Sequence, residues 1–166
     1  ITFDDDLTTI GNWAFNKNSY LGKIWMPSSV TKIGNYAFCD CYRLNDIVLS
    51  SNITDIGQGA FKGCSLEKLE FPSVINISES AFEECESLKS IYLSDQIPCI
   101  QRYTFKNCTD FEEIKMGNNI KYIGYQAFSG CSTLSHIILP SSLDSLGQYA
   151  FSECSKLTTV DIPNSV

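Results

Sequence analysis

Apolar residues recur along this chain in one fixed order: Ile-Gly-x-x-Ala-Phe-x-x-Cys-x-x-Leu-x-x-Ile-x-Leu-Pro. The clearest copy runs from Leu146-Gly147 through Ala150-Phe151, Cys154, Leu157, Val160 and Ile162 to Pro163. The phenylalanines stand at Phe15, Phe38, Phe61, Phe82, Phe105, Phe128 and Phe151, 23 residues apart except for one step of 21. A fixed period in this range predicts a solenoid, in which each repeat buries its apolar face only against its neighbours. Seven copies exceed the roughly three needed for a continuous core.

Within each copy the period changes. Leu134, Ile137 and Leu139 end in strict alternation, which predicts a strand. Stacked copies would pair these strands in parallel at about 4.8 Å per coil. Pro27, Pro72, Pro140 and Pro163 follow the strand and end its ladder, because proline has no N–H. Val30 to Ile33 and Ile120 to Ile123 predict a second, shorter extended stretch on the opposite wall. Gly11, Gly34, Gly57, Gly124 and Gly147 come next and imply either positive φ or close backbone approach. Ser78 and Gln101 replace that glycine, so their two coils are expected to differ locally. Ala-Phe-x-x-Cys then turns a corner, expected as a short helical or 3₁₀ turn, with Thr104 replacing one alanine. The third copy is two residues short, once between Cys64 and Leu66 and once between Phe71 and Val74, both in corners.

Eight cysteines suggest disulfides by number, but six of them share one place. Cys41, Cys64, Cys85, Cys108, Cys131 and Cys154 all stand third after the repeat phenylalanine, where Asn18 stands in the first copy. They read as a buried structural ladder of free thiols, packed as small hydrophobes. Cys39 and Cys99 lie off it, roughly 14 Å apart along the stack, beyond disulfide reach. The Cys-x-x-Cys pairs usual at zinc sites are missing, and no metal or cofactor is expected.

The pattern resembles the BspA-type subclass of leucine-rich repeats, on the Ala-Phe-x-x-Cys corner and the Leu-x-x-Ile-x-Leu-Pro segment quoted above, over essentially the whole chain. The resemblance implies a right-handed coil with a parallel β-sheet on the concave face, and short extended segments and 3₁₀ or helical turns elsewhere. It further implies a cell-surface or secreted protein of bacteria or protozoan parasites. Such proteins act as adhesins toward host matrix, host cells or other microbes. A structural spacer that projects another domain and an intracellular interaction scaffold are the alternatives. The free thiols make a reducing compartment conceivable.

Charge and chemistry narrow the picture. The net charge of −7 disfavours nucleic acid and anionic membranes as partners. No apolar run approaches the ~18 residues of a membrane span. His136 is the only histidine and has no repeated carboxylate partner, so it reads as a surface residue and the chain as a non-enzyme. No phosphate loop, nucleophile elbow or zinc-protease motif occurs. A protein ligand remains, and the variable positions are free to specify it. Between the strand Ile and Leu stand Trp25, Val48, Glu70, Tyr92, Lys115, Ile138 and Asp161. Before the Ile stand Lys23, Asp46, Lys68, Ser90, Glu113, His136 and Thr159. Trp25 and Tyr92 fit the profile of interface hot spots. Trp13, Tyr36, Tyr103 and Tyr149 form another column, expected to pack at the corner. Three glycosylation sequons begin at Asn52, Asn76 and Asn107. Residues 1–166 read as one array cut in mid-coil at both ends, a piece of a longer one whose bare ends could stack.

Overall fold

The computed structural model describes residues 3–70 and 74–166. The expected strand-ending Pro72 and the shortening between Phe71 and Val74 lie outside them. Among the described residues twelve short strands form two walls, alternating between them as far as β11, with β12 following on the same wall as β11: β1 (Thr9–Ile10), β2 (Lys23–Trp25), β3 (Lys32–Ile33), β4 (Asp46–Val48), β5 (Asp55–Ile56), β6 (Lys68–Glu70), β7 (Asn76–Ile77), β8 (Ser90–Tyr92), β9 (Cys99–Ile100), β10 (Glu113–Lys115), β11 (Tyr122–Ile123) and β12 (Ser145–Leu146). All pairing is parallel and joins equivalent residues of successive coils. This is the solenoid expected from the period, with six full turns between Phe15 and Phe151.

The interior is a column of rings. Phe15, Phe38, Phe61, Phe82, Phe105, Phe128 and Phe151 stack in order with centroids 5.2 to 5.7 Å apart. Phe111 adds a ring against Phe105 at 5.4 Å and Phe128 at 6.3 Å. Offset stacks of this kind contribute about 0.5–1.5 kcal/mol per pair beyond burial. The strand isoleucines and leucines wrap this column as one core.

The corner corrects the expected 3₁₀ or helical turn: among the described residues no helix occurs. In the second coil Ala37 N–H donates to Gly34 C=O, Cys39 N–H to Tyr36 C=O and Cys41 N–H to Phe38 C=O. The intervening N–H groups of Tyr36, Phe38 and Asp40 donate instead to Gln58, Ala60 and Lys62 of the next coil. Only alternate amides close the turn, so each corner is three overlapping β-turns rather than a helix. The cause is the backbone two residues before and two after each phenylalanine, where φ lies between 51° and 79° in all seven corners. A single left-handed residue stops a right-handed helix. Eleven of these fourteen residues carry side chains, among them Trp13, Tyr36, Tyr103 and Tyr149. In the first six corners each of these residues gives its N–H to the next coil, which holds it there.

The recurrent glycine is therefore not the positive-φ residue. A Cβ on Gly124 would meet Arg102 N at 2.5 Å and Gln101 C at 2.7 Å, and one on Gly34 would meet Gly11 C at 2.7 Å. Gly11, in the first corner, would meet nothing within 4 Å. Close approach to the preceding coil is the constraint. Where glycine is missing, the second wall changes. Ser78 still donates to Ile56 C=O and β7 still pairs with β5. At Gln101 the ladder breaks: β1-β3-β5-β7 and β9-β11-β12 are separate sheets. The expected local difference thus falls between the two coils that lack glycine.

The first wall is interrupted as well, into β2-β4 and β6-β8-β10. The gap precedes the coil that is shortened between Cys64 and Leu66. A strand was expected in every coil, yet residues 134–139 and 157–162 form none. In the sixth coil the alternation survives without the ladder: Ile137 and Leu139 are buried while His136 and Ile138 are exposed. Side-chain burial in the core holds that segment.

Candidate functional site

The first wall presents two outward columns because side chains of a strand alternate. Parallel pairing places Lys23 beside Asp46 and Trp25 beside Val48, and likewise aligns Lys68, Ser90 and Glu113, and Glu70, Tyr92 and Lys115. His136 and Ile138 continue the columns as exposed residues. Four large apolar side chains of the outer column remain in solvent: Trp25 (52% exposed), Val48 (48%), Tyr92 (52%) and Ile138 (73%). Trp25 and Val48 are neighbours, whereas Glu70 and Lys115 separate the others.

Charges on this wall fall into two groups. Lys23 Nζ lies 2.9 Å from Asp46 Oδ2, an exposed pair of small energetic value. Among the described residues no ion pair within 4 Å is present for Lys68, Glu70, Glu113 or Lys115. A depression of about 190 Å³ lies between these four around Ser90 and Tyr92. A second cleft, about 350 Å³, opens between Tyr92, Asp95, Met116, Ile138 and Pro140. It sits where the ladder ends after β10, and no residue pattern announces it. Sequence reading also passed over Tyr20, which is 87% exposed with the Arg43 guanidinium 5.9 Å from its ring centroid. A variable position next to the buried Leu21 was its only signal.

The corner aromatics pack along the stack rather than form a pocket. Trp13 and Tyr36 stack at 4.3 Å, and Tyr125 meets Tyr103 and Tyr149 edge-on at 5.5 and 5.8 Å. A parallel polar column accompanies them: Asn35 N–H donates to Asn12 Oδ1, Gln58 N–H to Asn35 Oδ1, and Arg102 Nε lies 2.7 Å from Glu79.

The six cysteines in register each give their thiol hydrogen to the phenylalanine carbonyl of the preceding coil. Sγ to O distances run from 3.0 to 3.2 Å, from Cys41 to Phe15 through Cys154 to Phe128. The same Phe38 carbonyl also accepts the Cys41 N–H, so both of its lone pairs are used. Burial raises these thiols, Cys85 to about 12 and Cys154 to about 11. Thiolates are the nucleophiles and metal ligands, and these groups stay protonated. Off the ladder, Cys39 is raised to about 11 by burial and by Asp40, and Cys99 accepts a hydrogen bond from Gln101 Nε2 at 3.1 Å. Asn18 stands in the thiol place of the first coil, and its Oδ1 accepts Tyr20 N–H. Among the sequon asparagines, Asn76 is exposed on β7. Asn52 donates its amide to Ser28 C=O, and Asn107 is left-handed and half-buried beside Gly130.

Among the described residues no group of three or more His, Cys, Asp or Glu side chains is placed to hold a metal ion. No helix among them is long and apolar enough to cross a membrane.

Comparison with known proteins agrees with this geometry. No curated protein sequence matches the chain. A leucine-rich repeat protein from Eubacterium ventriosum has 27% identity and a TM-score of 0.78 over 88% of this chain and 40% of its own. One from Bacteroides ovatus has 26% identity and a TM-score of 0.53 over 95% of this chain and 54% of its own. A leucine-rich cell surface protein from Faecalibacterium prausnitzii shares the fold at 22% identity and a TM-score of 0.59, over 96% of this chain and 58% of its own. The chain thus spans about half the length of these proteins. Six copies of the BspA-type leucine-rich repeat region match residues 1–88 and 75–166, and the chain belongs to that family.

Proposed function

We propose that this array is a non-catalytic protein-binding segment of a cell-surface or secreted adhesin, and that the first wall is its contact surface. The observation that carries the reading is the outer column, where Trp25, Val48, Tyr92 and Ile138 hold large apolar area in solvent. Aromatic and apolar groups set among charges are the usual composition of protein interfaces. The net charge of −7 favours a protein ligand over nucleic acid. The surface location rests on the family resemblance. Adhesion to host matrix, host cells or other microbes is the activity tested. Pull-down from solubilised matrix and from labelled cell-surface proteins is expected to lose yield with Trp25→Ala and with Tyr92→Ala. Unchanged capture by both variants removes the site assignment. Absence of any captured surface or matrix protein removes the adhesin reading.

A further inference from the structure

The two columns of the first wall carry a symmetry that the core does not need. Centred on Ser90 and Tyr92, each position upward is matched by a complementary position downward. Lys68, one coil before, faces the place of Glu113, one coil after, in the same column. Glu70 and Lys115 do the same in the other column. Two coils out, Asp46 corresponds to His136 and exposed Val48 to exposed Ile138.

A surface of this kind is complementary to itself. We infer that two copies of this chain associate through the first wall about a two-fold axis lying along the strands at Ser90 and Tyr92. That operation sets coil against coil in reverse order. Lys68 then meets Glu113 of the second copy, Glu70 meets Lys115, Asp46 meets His136, and Val48 meets Ile138. Each pair occurs twice because the interface is isologous. Tyr92 meets Tyr92 at the centre. It is the largest side chain among the matched wall positions.

Three observations support the second copy as occupant. The four charges of the inner ring have no ion-pair partner among the described residues, whereas Lys23, outside the matched span, has Asp46. Charge complementarity spans the three paired coils from Lys68 and Glu70 to Glu113 and Lys115, and exposed Val48 and Ile138 add an apolar match one coil further out on each side. The alternative two-fold axis, along the stack, sets Asp46 against Val48 and His136 against Ile138, so it fits only the central three coils. At the outermost coils the match ends: Lys23 would face Thr159 and Trp25 would face Asp161. The matched span is about 19 Å at ~4.8 Å per coil. That is a small footprint beside the ~800 Å² per partner of a standard interface. Association is accordingly weak, with a dimer forming at about 10⁻⁵ to 10⁻³ M protein, and it weakens with salt. Opposed charges set partner orientation more than raw affinity.

This inference goes beyond the adhesin reading and holds whether or not a foreign protein binds. Sedimentation velocity of the purified chain without any ligand tests it, across ~10 µM to ~1 mM protein at low and high salt. The expected result is a reversible dimer at low salt that shifts to monomer as salt rises. Lys68→Glu alone and Glu113→Lys alone are each expected to weaken the homodimer at least tenfold. An equimolar mixture of the two variants should recover the dimer, because each copy then presents the charge that the other lacks. Both residues are exposed, and circular dichroism of each variant reports its fold directly. A chain that is monomeric throughout overturns the inference. So does a dimer indifferent to Lys68→Glu, or a mixture no more dimeric than its components.

Discussion

Replacing Phe105 with alanine removes the ring at the centre of the column. Phe105 is fully buried and stacks on Phe82 at 5.7 Å, Phe128 at 5.4 Å and Phe111 at 5.4 Å. Truncating a buried phenylalanine costs about 3–5 kcal/mol through lost transfer energy and cavity formation. Three ring neighbours place this site at the upper end, about 4–5 kcal/mol. The same change at Phe15 gives the contrast. That ring is half-buried, with one stacked neighbour, Phe38 at 5.2 Å, and one edge contact, Phe3 at 6.0 Å. About 2 kcal/mol is expected there, close to the burial of one partly exposed side chain. Urea unfolding followed by circular dichroism measures both. With a slope of about 2–3 kcal/mol/M, the midpoint should fall by about 1.5–2 M for Phe105→Ala and by under ~1 M for Phe15→Ala. In a quasi-one-dimensional stack a central defect uncouples both halves, whereas an outer one frays a single coil. Equal midpoint shifts, or a loss below ~2 kcal/mol at Phe105, would refute the ring column as the main source of cohesion.

Other outcomes follow from the corners and the thiols. Gly124→Ala should destabilise by about 1–3 kcal/mol, since its Cβ would meet backbone at 2.5 Å, while Gly11→Ala should be neutral or slightly stabilising. Paired thermal melts decide this, and equal effects would contradict close approach as the reason for the glycine. The raised thiols give a pH signature. Their folded values, such as about 12 for Cys85, exceed the ~8.5 of an unfolded cysteine. Their contribution is therefore fully present below pH ~8.5 and is lost as pH rises from there through the folded values. Melting temperature should hold level up to about pH 8 and then fall. A flat profile to pH 10.5 would sink the protonated ladder. A thiol reagent at pH 8 should find Cys99 first and leave the six register cysteines silent until the chain unfolds, whereas rapid reaction of all eight would place them at the surface.

Much of the fold was legible because the repeat imposes the same demand seven times. The strand period, the buried phenylalanine column and the parallel register all follow from positions that no coil can vary. The corner was misread for a physical reason. Ala-Phe-x-x-Cys has helical spacing, but the left-handed residues two before and two after each phenylalanine are mostly not glycine. Lys17, Tyr36 and Glu84 carry no compositional mark of positive φ. Their conformation is set by hydrogen bonds to the next coil, which local propensity does not report. The glycine, conversely, was visible as a constraint, and only the stacked backbone distinguishes close approach from positive φ. The breaks in the two walls were half legible. Gln101 and the shortened third coil marked two of them, but nothing foretold the missing strand at Ile137. The proposed contact wall could be drawn from the sequence as two variable columns. The lack of an ion-pair partner for Lys68, Glu70, Glu113 and Lys115 among the described residues, and the cleft beside Ile138, required the structure.

The central claim is that the first wall, and not the aromatic corner, meets a protein partner. The direct measurement is a binding titration on immobilised basement-membrane matrix and on intact epithelial cells. It compares the parent chain, the wall variant Trp25→Ala with Tyr92→Ala, and the corner variant Trp13→Ala with Tyr149→Ala. The account predicts saturable binding by the parent, at least tenfold weaker binding by the wall variant and full retention by the corner variant. Loss in the corner variant alone, or equal binding by all three, would contradict it.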